Sequence, residues 1–265
     1  MNFDVAFSPC PNDTFIFHAM LHNLVDTSGF SFNSYLDDIE TLNQNAFFNK
    51  FHITKLSFYA LIRLSGKYEI LDSGAALGYG CGPLVVSRNG NIDLQTKTIA
   101  VPGEFTTANL LYRLWSRNSG NIIYTRFDNI MKGVKSGEYD AGVIIHEGRF
   151  VYPDYGLERI VDLGDWWEKE TGLPIPLGCI AIRNDSDTVS YKKDIEEIIR
   201  HSVEYAFNNR QASREYIKKY AQELDDNVID NHINLYVNDF SLSLGKPGHN
   251  AIKLLTEKVK AYGVI

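Results

Sequence analysis

The chain has 265 residues, 44% of them hydrophobic and 22% charged, and its 33 acidic against 26 basic side chains leave a formal net charge of −7. That is an ordinary globular composition, long enough to bury one large or two modest cores without a disulfide or metal staple. The acidic balance, with no Lys/Arg-rich run, excludes a nucleic-acid footprint, and apolar stretches such as Leu84-Val85-Val86 and Gly142-Val143-Ile144-Ile145 are far too short for a membrane span.

Phe3 to Phe7 alternates as a strand does. An acid at Asp4 with no apolar run behind it is unlike a secretory leader, so a cytoplasmic protein is expected. Ser8-Pro9-Cys10-Pro11-Asn12-Asp13 breaks the strand with turn chemistry, and Phe15, Ala19, Leu21 and Leu24 suit a helix from Thr14 to Leu24 with Asn12 or Asp13 as N-cap. Phe30 to Leu36 is a second extended run, followed at Asp37-Asp38-Ile39-Glu40 by a capped, solvated helix start. Phe51 to Lys55 reads as a strand and Leu56 to Leu61 as a helix. The glycine cluster Gly74, Gly78, Gly80 and Gly82 lacks the form of a phosphate loop and suits backbone bends near a hinge, ahead of a strand at Pro83 to Val86.

Thr98 to Val101 reads as a strand ending at Pro102-Gly103, after which Thr106-Thr107-Ala108 opens a helix with Leu110, Leu111, Leu114 and Trp115 on its apolar face. Ile122 to Tyr124 and Asp140 to Ile145 are further strands, with Asp128 capping a helix from Ile130 to Val134 between them. This β-α-β-α-β series builds a mostly parallel sheet. A strand at Gly178 to Ile182 closes the middle region. Beyond Arg183 the apolar residues hold helical spacing, as at Ile195, Ile198, Ile199 and Val203, and at Val228, Ile229, His232, Ile233 and Tyr236; these stripes read as core.

Three loop-to-helix junctions share a design: Pro11-Asn12-Asp13-Thr14, Lys55-Leu56-Ser57, and Pro102-Gly103 leading to Thr106-Thr107. Each sets free N–H groups and a polar side chain at a helix start behind a strand, which is simple capping at any one of them and a ligand cleft when three converge. His146 leaves the apolar strand Ala141 to Ile145 where a side chain would face such a cleft, and an imidazole with an ordinary pKa near ~6.5 accepts a proton at neutral pH. The histidines at 18, 22, 52, 201, 232 and 249 fall on helix-like stretches or turns with no H-E-x-x-H spacing and read as surface or packing residues. Cys10, Cys81 and Cys179 form no C-x-x-C pair and read as reduced thiols, and Trp166-Trp167 either walls a pocket or seals a domain edge. No metal or dinucleotide motif is present.

Taken together, Ser8-Pro-Cys-Pro-Asn-Asp-Thr-Phe-Ile-Phe17, Thr54-Lys-Leu-Ser57, Ser73-Gly-Ala-Ala-Leu-Gly78, Gly82-Pro-Leu-Val85, Ala100-Val-Pro-Gly103, Thr106-Thr-Ala108, Ile144-Ile-His-Glu147, and Asp162-Leu-Gly-Asp-Trp-Trp-Glu168 with Pro174-Ile-Pro-Leu-Gly178 resemble the 1,4-dihydroxy-6-naphthoate synthase family of the futalosine route to menaquinone. The resemblance covers nearly the whole chain. It implies an α/β, two-lobed periplasmic-binding-protein-like fold of type II with the active site in the inter-lobe cleft. The first lobe would comprise residues 1–86 with 182–265 and the second 87–181, with Leu84 to Ser87 and Cys179 to Ile182 as adjacent crossing strands. It further implies a carbon-carbon lyase converting the small molecule cyclic dehypoxanthine futalosine to 1,4-dihydroxy-6-naphthoate by proton abstraction and elimination, with no cofactor and no metal. His146 maps onto the family's base; Lys55-Leu56-Ser57 and Thr107-Ala108, next to Thr106, map onto its ligand contacts, and Asn12-Asp13-Thr14 is similarly placed beside the cleft. The chorismate dehydratase of the same pathway and a non-catalytic solute-binding protein of the same fold are the competing readings. The sequence sets no oligomeric state.

Overall fold

The alternation of Phe3, Val5 and Phe7 forms β1 (Asn2–Phe7), whose inward side chains are fully buried against α1 (Pro11–Leu21). In the computed structural model, which describes all residues except 65, 118, 262, 264 and 265, the chain continues through β2 (Ser31–Leu36), α2 (Ile39–Phe47), β3 (Ile53–Ser57), α3 (Phe58–Arg63), β4 (Tyr68–Ile70) and β5 (Ala76–Gly78). The middle region holds β6 (Leu84–Ser87), β7 (Thr98–Val101), α4 (Thr107–Ser116), β8 (Asn121–Tyr124), α5 (Phe127–Ser136), β9 (Ala141–Ile144), α6 (Gly148–Val151), β10 (Glu158–Asp162) and α7 (Leu163–Thr171). After β11 (Ile175–Arg183) come α8 (Lys192–Asn208), α9 (Arg214–Tyr220), α10 (Asp226–Tyr236), α11 (Asp239–Leu242) and α12 (Gly245–Ala261).

Two sheets result. The first has the order β2-β1-β3-β11-β4, with β5 also pairing β11; the second has the order β10-β6-β9-β7-β8. The β7-α4-β8-α5-β9 series is parallel, its strands joined by helical crossovers, while β6 joins its edge antiparallel to β9 and β10 pairs antiparallel with β6. The C-terminal stripes return to the first sheet: Ile195, Ile199, Val203 and Ile233 pack with Phe3, Phe7, Phe15 and Phe17. A larger core runs from Leu56 and Phe58 through Ile175 and Trp167 to Val101 and Leu111, so the two sheets share buried apolar surface.

Several boundaries differ from expectation, each for a local reason. Pro11, lacking an N–H, takes the first position of α1, and the Cys10 carbonyl accepts from both Asp13 N and Thr14 N at 3.1 Å, so Asn12 and Asp13 lie in the first turn and do not cap it. β3 runs on through Lys55, Leu56 and Ser57, which are strand residues and not a helix start. Asp128 likewise sits inside the first turn of α5, behind Arg126. β4 and β5, three residues each, are too short to show periodicity.

Leu84–Ser87 and Cys179–Ile182 are not adjacent. β6 pairs with β9 and β10 in the second sheet, whereas β11 pairs with β3, β4 and β5 in the first, so sheet membership places the crossings between β5 and β6 and between α7 and β11. At the outward crossing Gly82 passes so close to the start of α7 that a Cβ there would lie 2.1 Å from the Gly164 nitrogen, and a Cβ on Gly164 would lie 2.7 Å from the Gly82 nitrogen. The obstructing atoms are backbone and cannot turn aside. Gly82→Ala is therefore expected to destabilise the fold by about 2–3 kcal/mol, read as a lower urea midpoint; an unchanged midpoint would show that the crossing tolerates displacement.

Candidate active site

A pocket of about 620 Å³ is lined from both sheets. Its floor is a buried carboxylate. Asp13, 1% exposed, accepts from Lys55 Nζ at 2.6 Å and Asn12 Nδ2 at 2.8 Å through Oδ1, and from Ser8 Oγ at 2.7 Å and Ser8 N at 3.2 Å through Oδ2. These donors come from the end of β1, the first turn of α1 and the middle of β3. Because side chains alternate along a strand, Lys55 and Ser57 reach the pocket while Leu56 between them turns into the core.

The Ser57 hydroxyl accepts from Asn43 Nδ2 at 3.0 Å, and Ser57 N donates to Asn43 Oδ1 at 2.9 Å, which leaves the hydroxyl proton to donate into the pocket. On the opposite wall, Thr106 caps α4 by accepting from Asn109 N at 3.2 Å, and Thr107 and Ala108 occupy its first turn, whose N–H groups have no intrahelical acceptor. The Thr107 hydroxyl is occupied: it accepts from Tyr59 N at 3.2 Å and donates to Leu177 O at 2.7 Å, tying α4 to α3 and β11. The helix-start N–H groups, not that hydroxyl, are what this wall offers a ligand. Thr14 is fully buried and donates to the Cys10 and Pro11 carbonyls, away from the pocket.

His146 leaves β9 with a φ of +56°, a left-handed conformation that a non-glycine residue adopts at a cost. The turn is held from behind: Arg149 donates to the Gly82 carbonyl at 2.7 Å and pairs with Asp162, which itself caps α7. The imidazole stands between Phe127, edge-on at 5.2 Å, and His232, near-parallel at 6.1 Å. Burial, aided by Lys55 and opposed by Asp13, pulls its pKa from the ordinary value down to about 4. It is neutral at physiological pH, with a ring nitrogen free to take a proton.

Of the residues that the sequence places at the site, Asn12, Asp13, Lys55, Ser57, Thr106, Thr107, Ala108 and His146 line one pocket, whereas Leu56 and Thr14 do not. Sequence reasoning missed Ser8, Ile39, Cys81, Leu177 and Tyr236, which line the same pocket, and Asn43, which holds Ser57. Tyr236 and His232 were hidden inside a stripe that reads as core. Trp167 seals the interior, donating to the Pro174 carbonyl at 3.1 Å, and walls no part of this pocket. Glu40 is not freely solvated, since its carboxylate accepts from Phe105 N at 3.0 Å. The three cysteines are free and buried; burial pushes the Cys81 and Cys179 thiols up to about 12, so neither supplies a thiolate.

Glu147, next to His146 and 6% exposed, has its carboxyl pushed up to about 7 by burial, with Glu223 and Asp128 adding to the effect. An unfolded chain ionises this group near 4.5, so raising the pH from there to about 7 favours unfolding, and the penalty is constant above that. Glu147→Gln removes it. The variant is expected to be more stable than the parent above pH 7, by on the order of 3 kcal/mol, with the advantage vanishing as pH falls to 4.5; an equal advantage at all pH values in denaturant melts would contradict the shift.

A family model described as menaquinone biosynthesis matches residues 3–261. A Thermus thermophilus protein named 1,4-dihydroxy-6-naphtoate synthase is 44% identical over 260 residues, covering 98% of this chain and 94% of its own length. A Streptomyces coelicolor protein of the same name is 41% identical over 266 residues with the same coverages. Among solved structures, a protein from Archaeoglobus fulgidus superposes with a TM-score of 0.94 at 39% identity, over 100% of this chain and 98% of that one. The alkanesulfonate-binding protein SsuA from Xanthomonas axonopodis pv. citri superposes at 0.72 with 10% identity over 99% and 92% of the two chains, a likeness of fold alone. A Candida albicans protein described as having the generic periplasmic binding protein fold superposes at 0.67 with 16% identity, over 100% and 91%. With this fold, and with relatives matched over nearly its whole length, the chain belongs to the menaquinone-biosynthesis family.

Proposed function

We propose that the protein is a 1,4-dihydroxy-6-naphthoate synthase, a carbon-carbon lyase that takes cyclic dehypoxanthine futalosine to 1,4-dihydroxy-6-naphthoate in the cleft between its sheets. The observation that carries this reading is the meeting, in one pocket, of a neutral imidazole with the Ser57 hydroxyl and the helix-start N–H groups of α4. His146 is the base. Ser57 and the first-turn N–H groups of α4 hold ligand oxygens, favoured by the positive end of the helix dipole. Lys55, fixed by Asp13, sets a positive charge at the pocket floor.

In this mechanism His146 accepts a proton from a carbon of the sugar-derived part of the substrate. The electron pair left on that carbon forms a new double bond as the carbon–carbon bond to the departing fragment breaks; that bond's electron pair leaves with the fragment and takes a proton back from the imidazolium, and the carbocycle aromatises. The imidazolium so formed lies within electrostatic reach of the Asp13 carboxylate, whose charge favours it. No redox step is involved. The wall that grips the oxygens and the group that moves the proton are separate, so binding and chemistry should separate on mutation.

His146→Asn is expected to lower kcat by about 10²–10⁴-fold while KM stays within a few-fold, because positioned proton transfer contributes that much. Near-normal kcat would remove His146 from the role of base, and loss of binding would make it a ligand contact. A second outcome follows from the depressed pKa: the base loses its lone pair only as pH falls toward about 4, so kcat/KM should show no acidic fall between pH 6.5 and 5.5. An acid limb at an ordinary histidine pKa would contradict it.

A further inference from the structure

Behind His146 lies a pair of titratable side chains to which the mechanism assigns no role. His232, on α10, is 0% exposed, and Glu147 6%. Their atoms His232 Nδ1 and Glu147 Oε2 are 3.8 Å apart, and both are buried without a hydrogen-bond partner. Two unpaired polar atoms facing each other in an apolar interior are costly.

Their protonation follows from the chain of contacts to the pocket floor. Asp13 accepts at both oxygens, so the Asn12 amide must turn its Nδ2 toward it, at 2.8 Å. That leaves Asn12 Oδ1 facing His232 Nε2 at 3.0 Å, and an oxygen can only accept. His232 therefore carries its proton on Nε2 and presents a lone pair from Nδ1 toward Glu147. A carboxylate opposite that lone pair would be repelled by it, whereas a carboxylic acid could donate to it.

We propose that Glu147 is a carboxylic acid that closes the 3.8 Å gap to donate its proton to His232 Nδ1, and that this bond holds the near-parallel His232 ring against His146, making both of them positioning residues for the reaction. The inference rests on the reading of His146 as the base. Three features support it. His146 is in a left-handed conformation that needs holding from outside, and the His232 ring is its backrest at 6.1 Å. Burial and the neighbouring acids favour the protonated form of Glu147 up to about pH 7. On its far side Glu147 lines a second pocket of about 630 Å³, through which its proton can exchange with solvent while substrate fills the first.

The charged and titratable neighbours are few. Asp128 and Lys132 on α5 and Glu223 ahead of α10 share the second pocket with Glu147. Tyr236 on α10 and Cys10 ahead of α1 lie close enough to feel its charge, while Lys55 and His146 oppose a positive charge on His232. As pH rises past 7 the pair loses its proton, the two lone-pair-bearing groups repel, and His146 loses its support.

The test has two arms on the full chain. In substrate-free protein labelled with nitrogen-15 histidine, His232 should be neutral with its proton on Nε2, and its Nδ1 signal should shift with an apparent pKa near 7 that is absent in Glu147→Gln. A proton on Nδ1, or the same titration in the variant, would overturn the proposal whatever the enzyme's reaction. In turnover of cyclic dehypoxanthine futalosine, kcat of the wild type should fall between pH 6.5 and 8.5 and that of Glu147→Gln, which keeps a donor toward His232, should not. Glu147→Leu, which has none, should lose about tenfold in kcat at every pH with KM held within twofold. Parallel profiles for wild type and Glu147→Gln, or equal activity of the Gln and Leu variants, would overturn the positioning role. Absence of product from the wild type would instead sink the proposed function, leaving the first arm to decide the proton.

Discussion

The cleft is organised around one buried negative charge. A carboxylate removed from water is expensive unless it is paired and fully hydrogen-bonded, and Asp13 meets that demand by drawing donors from three parts of the chain. Lys55 is thereby held at the pocket floor, Ser8 is fixed at the end of β1, and the Asn12 amide is forced into one orientation. Through Asn12 the same carboxylate sets the tautomer of His232 on α10, more than two hundred residues away in sequence. One ionised group thus fixes the positions of β1, β3, α1 and α10 around the site.

A second constraint is the joining of the two sheets. Contacts cross between the sheets at several points: the Thr107 hydroxyl between Tyr59 and Leu177, the Glu40 carboxylate on Phe105 N, and the Phe47 and Phe105 rings 4.7 Å apart. Apolar surface is also buried continuously from one sheet to the other. The α4 helix start is brought over the Asp13-Lys55 floor by these ties. The same closeness explains the Gly82 and Gly164 pair, where two backbones touch with no side chain between them.

Much of this was legible in the sequence because the cleft lies at strand ends, where turn chemistry interrupts apolar runs. His146 stood out as a polar residue directly behind a buried strand, and Thr106-Thr107-Ala108 as a helix start. Lys55 and Ser57 were found for the wrong local reason: they reach the pocket as alternate residues of β3, and had the strand been read two residues further, its period of two would have sent Leu56 to the core. Thr14 was misplaced because Pro11 starts α1 three residues early. Asn43, Tyr236 and His232 carry no local signal, since each lies on a helix whose stripe serves packing and whose polar contacts arise only when distant elements meet. His146 looked like an ordinary imidazole because a histidine's pKa is set by burial and neighbours, which spacing does not reveal.

Whether this cleft does chemistry on the substrate class that its family implies decides between an enzyme and a binding protein. The most direct measurement is mass spectrometry of purified protein incubated with cyclic dehypoxanthine futalosine, alongside a reaction without protein. Time-dependent appearance of 1,4-dihydroxy-6-naphthoate, matched by loss of substrate, is the predicted result. Substrate that binds and is recovered unchanged would contradict it, and would leave the cleft a binding site without a reaction.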